Sequence, residues 1–129
     1  MGSRFVATRE APVHEHVKQA MVDADERETV LIFRSLNNTA RVFKNKVALQ
    51  VLAIEARSGE TDFAEIQPLV AGSRGRKAVL EEGDIDAGIW TVGMAVGLIH
   101  DIPTCADLLQ RMIAEAREAV ETRMKPLLT

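Results

Sequence analysis

A chain of 129 residues is long enough for one small domain with its own core, and its 47% hydrophobic and 27% charged residues are those of an ordinary globular protein. The formal charge of −3 argues against a general nucleic-acid binder, whose phosphate contacts rest on excess lysine and arginine. A single cysteine, Cys105, excludes an internal disulfide and fits a reducing cytoplasm. No apolar signal core opens the chain, so secretion is not expected, and the Asn37-Asn38-Thr39 sequon carries no weight. The apolar run from Ile89 to Ile99 is too short against the ~20 residues of a membrane-spanning helix.

Met1 to Ala7 is small and then apolar, with Arg4 interrupting, and reads as the end of a buried strand. Such a strand needs neighbours, and the chain holds one other β-prone stretch, so the sequence suggests that something precedes residue 1. A helix is predicted from Ala11 or Pro12 to about Ala24, with Val13, Val17, Ala20, Met21 and Ala24 on one face. His14 and His16 point away from that stripe; two apart and without a third ligand, they read as surface histidines rather than a metal site.

Thr29 to Phe33 is β-branched and apolar, a short buried strand. Asn37, Asn38 and Thr39 offer caps for a longer helix reaching about Arg57, with Phe43, Val47, Val51 and Ile54 inward. Arg41, Lys44 and Lys46 form a solvated basic edge that an anionic ligand could also use. Ser58-Gly59 is predicted to end that helix. Asp62 and Glu65 have the spacing of a capping box for a short helix with Phe63 and Ile66 inward, limited by Pro68. Ser73 to Lys77 reads as a basic turn, with anion binding at the next helix as the alternative. Gly83 is placed to close that helix.

Gly83 to Pro103 is the centre of the chain. It holds the one tryptophan, Trp90, and four glycines in an apolar run bounded by acidic residues. Gly93 and Gly97 are one helical turn apart and would clear a strip without side chains, for a neighbouring backbone or a flat cofactor. The plainer reading is a buried helix packed on its neighbour. Asp101 to Thr104 then turns into a last helix, with Thr104 as N-cap and Leu108, Met112, Ala116, Ala119 and Val120 inward to about Met124. Cys105, with no histidine paired to it, reads as a packed thiol.

Three stretches together resemble one family. Met1-Gly2-Ser3-Arg4-Phe5-Val6-Ala7-Thr8 is similar to the end of the last barrel strand in nitronate monooxygenases, formerly 2-nitropropane dioxygenases. Phe33 to Val42 resembles their helical insertion, and Gly83 to Cys105 their return to the barrel. The resemblance implies a mainly α chain of 129 residues that is the C-terminal fragment of an FMN-binding (β/α)8 TIM barrel. Residues 1–8 would end the last strand, 9–82 form the helical substrate-side domain, and 83–129 return to the barrel. Such a barrel needs ~250 residues, so Met1 would stand at an internal methionine of a longer protein.

The family binds FMN and oxidises alkyl nitronates with oxygen; relatives are NAD(P)H:quinone reductases and FMN-dependent enoyl-thioester reductases. Met1, Gly2 and Ser3 match the segment that cradles the FMN phosphate, with Ser3 where threonine is more usual. Trp90, Thr91 and Met94 match the part that approaches flavin and substrate. Met94 stands where many members carry glutamine, which favours quinone reduction as the alternative within the fold. The catalytic histidine belongs to a Gly-His stretch that this chain lacks, so the chain alone is expected to be inactive and to bind FMN weakly. The reading from another class is a helical interaction module without chemistry. Val6, Ile89, Val92, Val96 and Leu98 would face the missing half, so self-association, or pairing with an N-terminal barrel half, is expected; neither metal, nucleic acid nor membrane is.

Overall fold

The computed structural model describes residues 1–57 and 61–127. Its elements are mainly helical, with one two-stranded antiparallel sheet among the described residues. Met1 to Ala7 departs from expectation at once, because Gly2–Val6 is a short helix, α1. Among the described residues no strand lies beside it to share a ladder. The backbone satisfies itself locally instead, the Met1 carbonyl accepting from the Arg4 and Phe5 amides.

Helix α2 (Glu15–Asp23) buries Val17 and Met21 as its period predicts. It starts later than Ala11 or Pro12, where it was expected, because the His14 Nδ1 accepts from the His16 amide and acts as the cap, so Pro12 and Val13 precede the helix. Strand β1 (Thr29–Ile32) follows as expected and pairs with β2 (Ala40–Phe43), Val30 standing opposite Val42. Here the predicted long helix fails. Asn37 adopts a left-handed conformation, φ 53°, and helps turn the chain back into a hairpin, so Phe43 lies in a strand. Phe33 at φ 63° is the more unusual turn residue. Its amide, with the Ser35 amide and hydroxyl, donates to the Glu55 carboxylate. Burial works against the charge of Glu55, but these donors outweigh it and hold its carboxyl below the usual range.

The cap of α3 (Lys46–Glu55) is therefore Asn45. Its Oδ1 accepts from the Ala48 amide at 2.9 Å, while Nδ2 donates to the Ile85 and Gly88 carbonyls at 2.6 and 2.8 Å. One buried amide thus starts a helix and pins the glycine-rich centre to it. The predicted stop at Ser58-Gly59 lies outside the described residues.

Helix α4 (Phe63–Val70) is capped by Asp62 and buries Ile66, but Phe63 is exposed. Glu65 bonds Arg57 across the surface at 2.9 Å. Pro68 lies inside this helix rather than ending it. Ser73 to Lys77 is helical as well: α5 (Gly72–Arg74) runs into a π-helical stretch, Gly75–Glu81, so no basic turn forms. Gly83 then closes it at φ 80°, the left-handed geometry glycine allows.

The centre is not a buried α-helix. Residues 89–93 are extended, Thr91 bridging to Val42, and only Met94–Leu98 coils, as a 3-10 helix. Gly97 alone shows the anticipated close approach. A Cβ there would lie 2.9 Å from the Glu26 nitrogen, whereas at Gly93 it would meet only the Ser3 hydroxyl at 3.5 Å.

The larger core joins all three expected divisions of the chain: Ala7; Val17, Met21, Phe43 and Val79; then Trp90, Val92, Val96 and Ile99. Val92 and Val96, expected to lack cover, are buried within the chain. A smaller core gathers Ile32, Val42, Val51 and Ile66 between the hairpin, α3 and α4. The last helix, α6 (Cys105–Ala119), is capped by Thr104 and continues as π-helical Val120–Met124 and a 3-10 turn, Lys125–Leu127. Of its predicted inward stripe only Leu108 is buried; Leu109, Ile113, Val120, Met124 and Leu127 are exposed, so this apolar face has no cover within the described residues. Among those residues no helix is long and apolar enough to cross a membrane.

Candidate functional site

The two stretches singled out at opposite ends of the chain meet. The Gly93 amide donates to the Ser3 hydroxyl at 2.9 Å, across 90 positions of sequence. A serine hydroxyl that accepts this bond keeps its own proton to donate. At the head of α1 no side chain caps the helix, and among the described residues the Gly2 and Ser3 amides have no hydrogen-bond partner. A Cβ on Gly2 would meet nothing within 4 Å. Two unpaired amides and one hydroxyl therefore lie together at the start of α1, beside the open space at Gly2, and these are donors of the kind an anionic oxygen uses.

Trp90 sits differently from its neighbours. The residue is buried, its ring stacks on Phe43 at 4.3 Å between centroids, and its indole N–H donates to the Ile85 carbonyl at 3.1 Å. Because the backbone is extended, side chains alternate and Thr91 faces out. Met94 opens the 3-10 helix with 53% of its surface exposed. A cleft of about 540 Å³ lies beside this segment, with Trp90, Thr91 and Ile89 on one wall and Val6 of α1 on another.

A second set of contacts, invisible in the sequence, fixes α1. Arg4 donates from Nη2 to the Asp101 carboxylate at 2.8 Å and from Nη1 to the Asp101 carbonyl at 3.0 Å. Arg111 of α6 reaches the other carboxylate oxygen at 2.8 Å. The Arg111 hydrogen bond, with the charges of Arg111 and Arg4, holds the Asp101 carboxyl below the usual range against some desolvation. Four residues past α1, the Glu10 carboxylate accepts from the Cys105 amide with both oxygens, at 2.9 and 3.0 Å, and that bond lowers its acidity range too. Arg4 had read only as an interruption and Asp101 as a turn residue. The signal that pairs them is spatial, 97 positions apart.

The histidines fall outside this arrangement. His14 caps α2, and the His16 Nδ1 lies 3.3 Å from the Gly83 carbonyl. His100 lines a separate cleft of about 530 Å³ with Arg4, Asp101 and Arg111. The Cys105 thiol donates a long bond, 3.5 Å, to the Thr8 hydroxyl, the packed thiol that was read. No group of three His, Cys, Asp or Glu side chains that could hold a metal ion occurs among the described residues.

This geometry coincides with a family relationship. Residues 1–115 match the family model described as nitronate monooxygenase, and the chain belongs to that family of oxidoreductases. Among solved structures it is similar to FabK from Thermotoga maritima, with a TM-score of 0.82 at 31% identity, over 94% of this chain and 37% of FabK. A single-substitution mutant of the same FabK matches with a TM-score of 0.73 at 30% identity, over 94% of this chain and 34% of that one. A curated relative is the (3aS,4S,5R,7aS)-5-hydroxy-7a-methyl-1-oxo-octahydro-1H-indene-4-carboxyl-CoA dehydrogenase of Rhodococcus jostii (strain RHA1). It is 42% identical over 45 residues, 35% of this chain and 13% of that protein. The chain thus spans roughly a third of the solved structures it matches.

Proposed function

We propose that this chain is the C-terminal, flavin-facing part of an FMN-dependent oxidoreductase built on a (β/α)8 barrel, working in the reducing cytoplasm. The observation that carries the reading is the junction of Ser3 with Gly93, which sets the free donors of α1 beside the segment Trp90 to Met94. Phosphate sites in such barrels use the loops after the last strands and the N-terminus of a short extra helix, and α1 suits that role. The Gly2 and Ser3 amides and the Ser3 hydroxyl would hold the FMN phosphate, with Met1 leading into them. FMN would supply the redox chemistry. The chain's residues orient it and close one side: Trp90 is fixed by Phe43 and the Ile85 carbonyl, and Thr91 and Met94 face the substrate. The catalytic base would come from outside residues 1–129.

On this reading the reaction is oxidation of an alkyl nitronate by oxygen. Two other readings compete: quinone reduction by NAD(P)H, which the apolar Met94 favours, and redox chemistry on an acyl thioester, which the carboxyl-CoA substrate in the name of the Rhodococcus relative favours. The test uses the protein as its gene encodes it. Flavin absorbance is followed anaerobically while nitronate, NAD(P)H with quinone, or NAD(P)H with an enoyl thioester is added, and oxygen uptake is then measured. Flavin reduction and oxygen uptake that depend on nitronate support the first reading. Bleaching by NAD(P)H and reoxidation by the enoyl thioester or by quinone would transfer the assignment to that acceptor. A protein without flavin would remove the proposal altogether.

A further inference from the structure

Asn45 is a polar side chain buried as deeply as the core around it, with 4% of its surface exposed. Its two amide protons go to two different carbonyls, Ile85 at 2.6 Å and Gly88 at 2.8 Å, and its Oδ1 takes the Ala48 amide at 2.9 Å. The reversed side chain would set oxygen against two carbonyls and NH2 against an amide, so this orientation alone is satisfied. The Ile85 carbonyl is shared, because it also accepts the Trp90 indole N–H at 3.1 Å. One backbone oxygen therefore joins Asn45 to the tryptophan ring.

The surroundings leave that oxygen a specific task. The Phe43 ring stacks on the indole, and the Phe43 amide donates to the Trp90 carbonyl at 3.0 Å. Elsewhere the turn packs backbone on backbone: a Cβ on Gly88 would lie 2.9 Å from the Gly75 nitrogen, and one on Gly75 2.7 Å from the Ile89 carbonyl oxygen. Lys46 and Asp86 tie α3 to the same turn at 3.1 Å, but at the surface, where an ion pair contributes little. The stack on Phe43 fixes the plane of the indole. The Ile85 carbonyl fixes its rotation within that plane, and Asn45 is the buried group that holds this carbonyl.

We infer that Asn45 is the positioning residue of Trp90, acting through the Ile85 carbonyl, and so orients the residue from which the segment Trp90 to Met94 starts. The inference rests on the proposed function only for what that segment faces; the hold on Trp90 stands apart from it.

Asn45→Asp separates the two tasks of this side chain. The introduced carboxylate still caps α3 through the Ala48 amide but turns an acceptor toward the two carbonyls. Trp90 is the one tryptophan and the chain has no tyrosine, so fluorescence reports this ring alone. Losing both donors loosens the hold about tenfold or more, and at pH ~7.5 acrylamide quenches Trp90 at least about twofold more strongly in Asn45→Asp than in the parent. Protonation restores one donor, and burial opposite two carbonyls favours the protonated form, so the excess quenching shrinks as pH falls to about 5. The charged groups of this junction, Lys46, Asp84 and Asp86, are common to the parent, which is measured at every pH. Val51→Ala, on α3 in the smaller core, lowers the melting temperature without raising the quenching. Parental quenching in folded Asn45→Asp, an excess that does not change with pH, or the same excess in Val51→Ala overturns the inference. Should Asn45→Asp not fold, the uncharged Asn45→Ser decides: raised quenching supports the role, and parental quenching overturns it. No flavin enters the readout, so failure here leaves the flavin assignment standing, and the reverse holds.

Discussion

The Ser3 hydroxyl accepts the Gly93 amide at 2.9 Å, joining the first helical turn to the segment that carries Trp90 and Met94. Replacing Ser3 with alanine leaves that part-buried amide without its acceptor and costs about 1 kcal/mol of stability. Threonine keeps the oxygen, so Ser3→Thr stays within a few tenths of the parent. Urea denaturation of both variants checks this. Equal stability of Ser3→Ala and the parent would remove the junction as a tie.

Asp101 binds two guanidiniums, and its depressed acidity dictates a pH dependence. A carboxyl whose folded pKa lies below its unfolded value stabilises the protein above the unfolded value, and that contribution is lost as pH falls through the folded one. Asp101→Asn is therefore less stable than the parent at neutral pH by about 1 kcal/mol, a value kept small by solvent exposure. The gap persists down to about pH 4 and closes below it, as the parent carboxyl protonates. A gap of the same size at pH 2.5 would mean that the asparagine acts through packing rather than charge.

The two central glycines are not equivalent. Gly97→Ala drives a methyl against the Glu26 backbone and destabilises by about 1–3 kcal/mol. Gly93→Ala meets the Ser3 hydroxyl at ordinary contact distance and changes stability by less than 1 kcal/mol. Thermal melts of the pair test the ordering, and a larger loss at Gly93 would contradict the observed packing.

How much of this was readable beforehand varies by element. The buried face and end of helix α2, strand β1, the Thr104 cap and the Gly83 stop carry local signals, period or capping chemistry, and the structure places them where those signals point, though α2 starts at Glu15 rather than at Pro12. Residues 37–45 misled because asparagine serves both helix caps and left-handed turns; Asn37 took the turn and Asn45 the cap. Gly83 to Pro103 misled because helical spacing of Gly93 and Gly97 says nothing of the bridge that sets Thr91 opposite Val42, with the Phe43 amide donating to the Trp90 carbonyl at 3.0 Å. Trp90 stood out as the one tryptophan of the central stretch, whereas Ser3, Thr91 and Met94 were singled out by resemblance alone. Arg4, Asp101 and Arg111 form a site-supporting network that no spacing rule announces.

The exposed stripe of Leu109, Ile113, Val120 and Met124 on the last helix and its extension is where we expect association, with a second copy or with an N-terminal barrel half. This shifts the expected surface away from Val92 and Val96, which the chain covers itself. Sedimentation across a dilution series should find self-association in the parent and a monomer for Ile113→Glu. A parent that stays monomeric and binds no hydrophobic dye would sink the self-association.

The most direct test of the flavin assignment compares FMN with riboflavin, which differs from it by the phosphate alone. Both are titrated by flavin fluorescence into the protein as its gene encodes it, in parent and Ser3→Ala forms. The account predicts that FMN binds more tightly than riboflavin, and that Ser3→Ala weakens FMN about tenfold, the worth of one hydrogen bond to a charged group, while leaving riboflavin unchanged. Equal affinity for the two flavins, or an equal loss for both in Ser3→Ala, would contradict it.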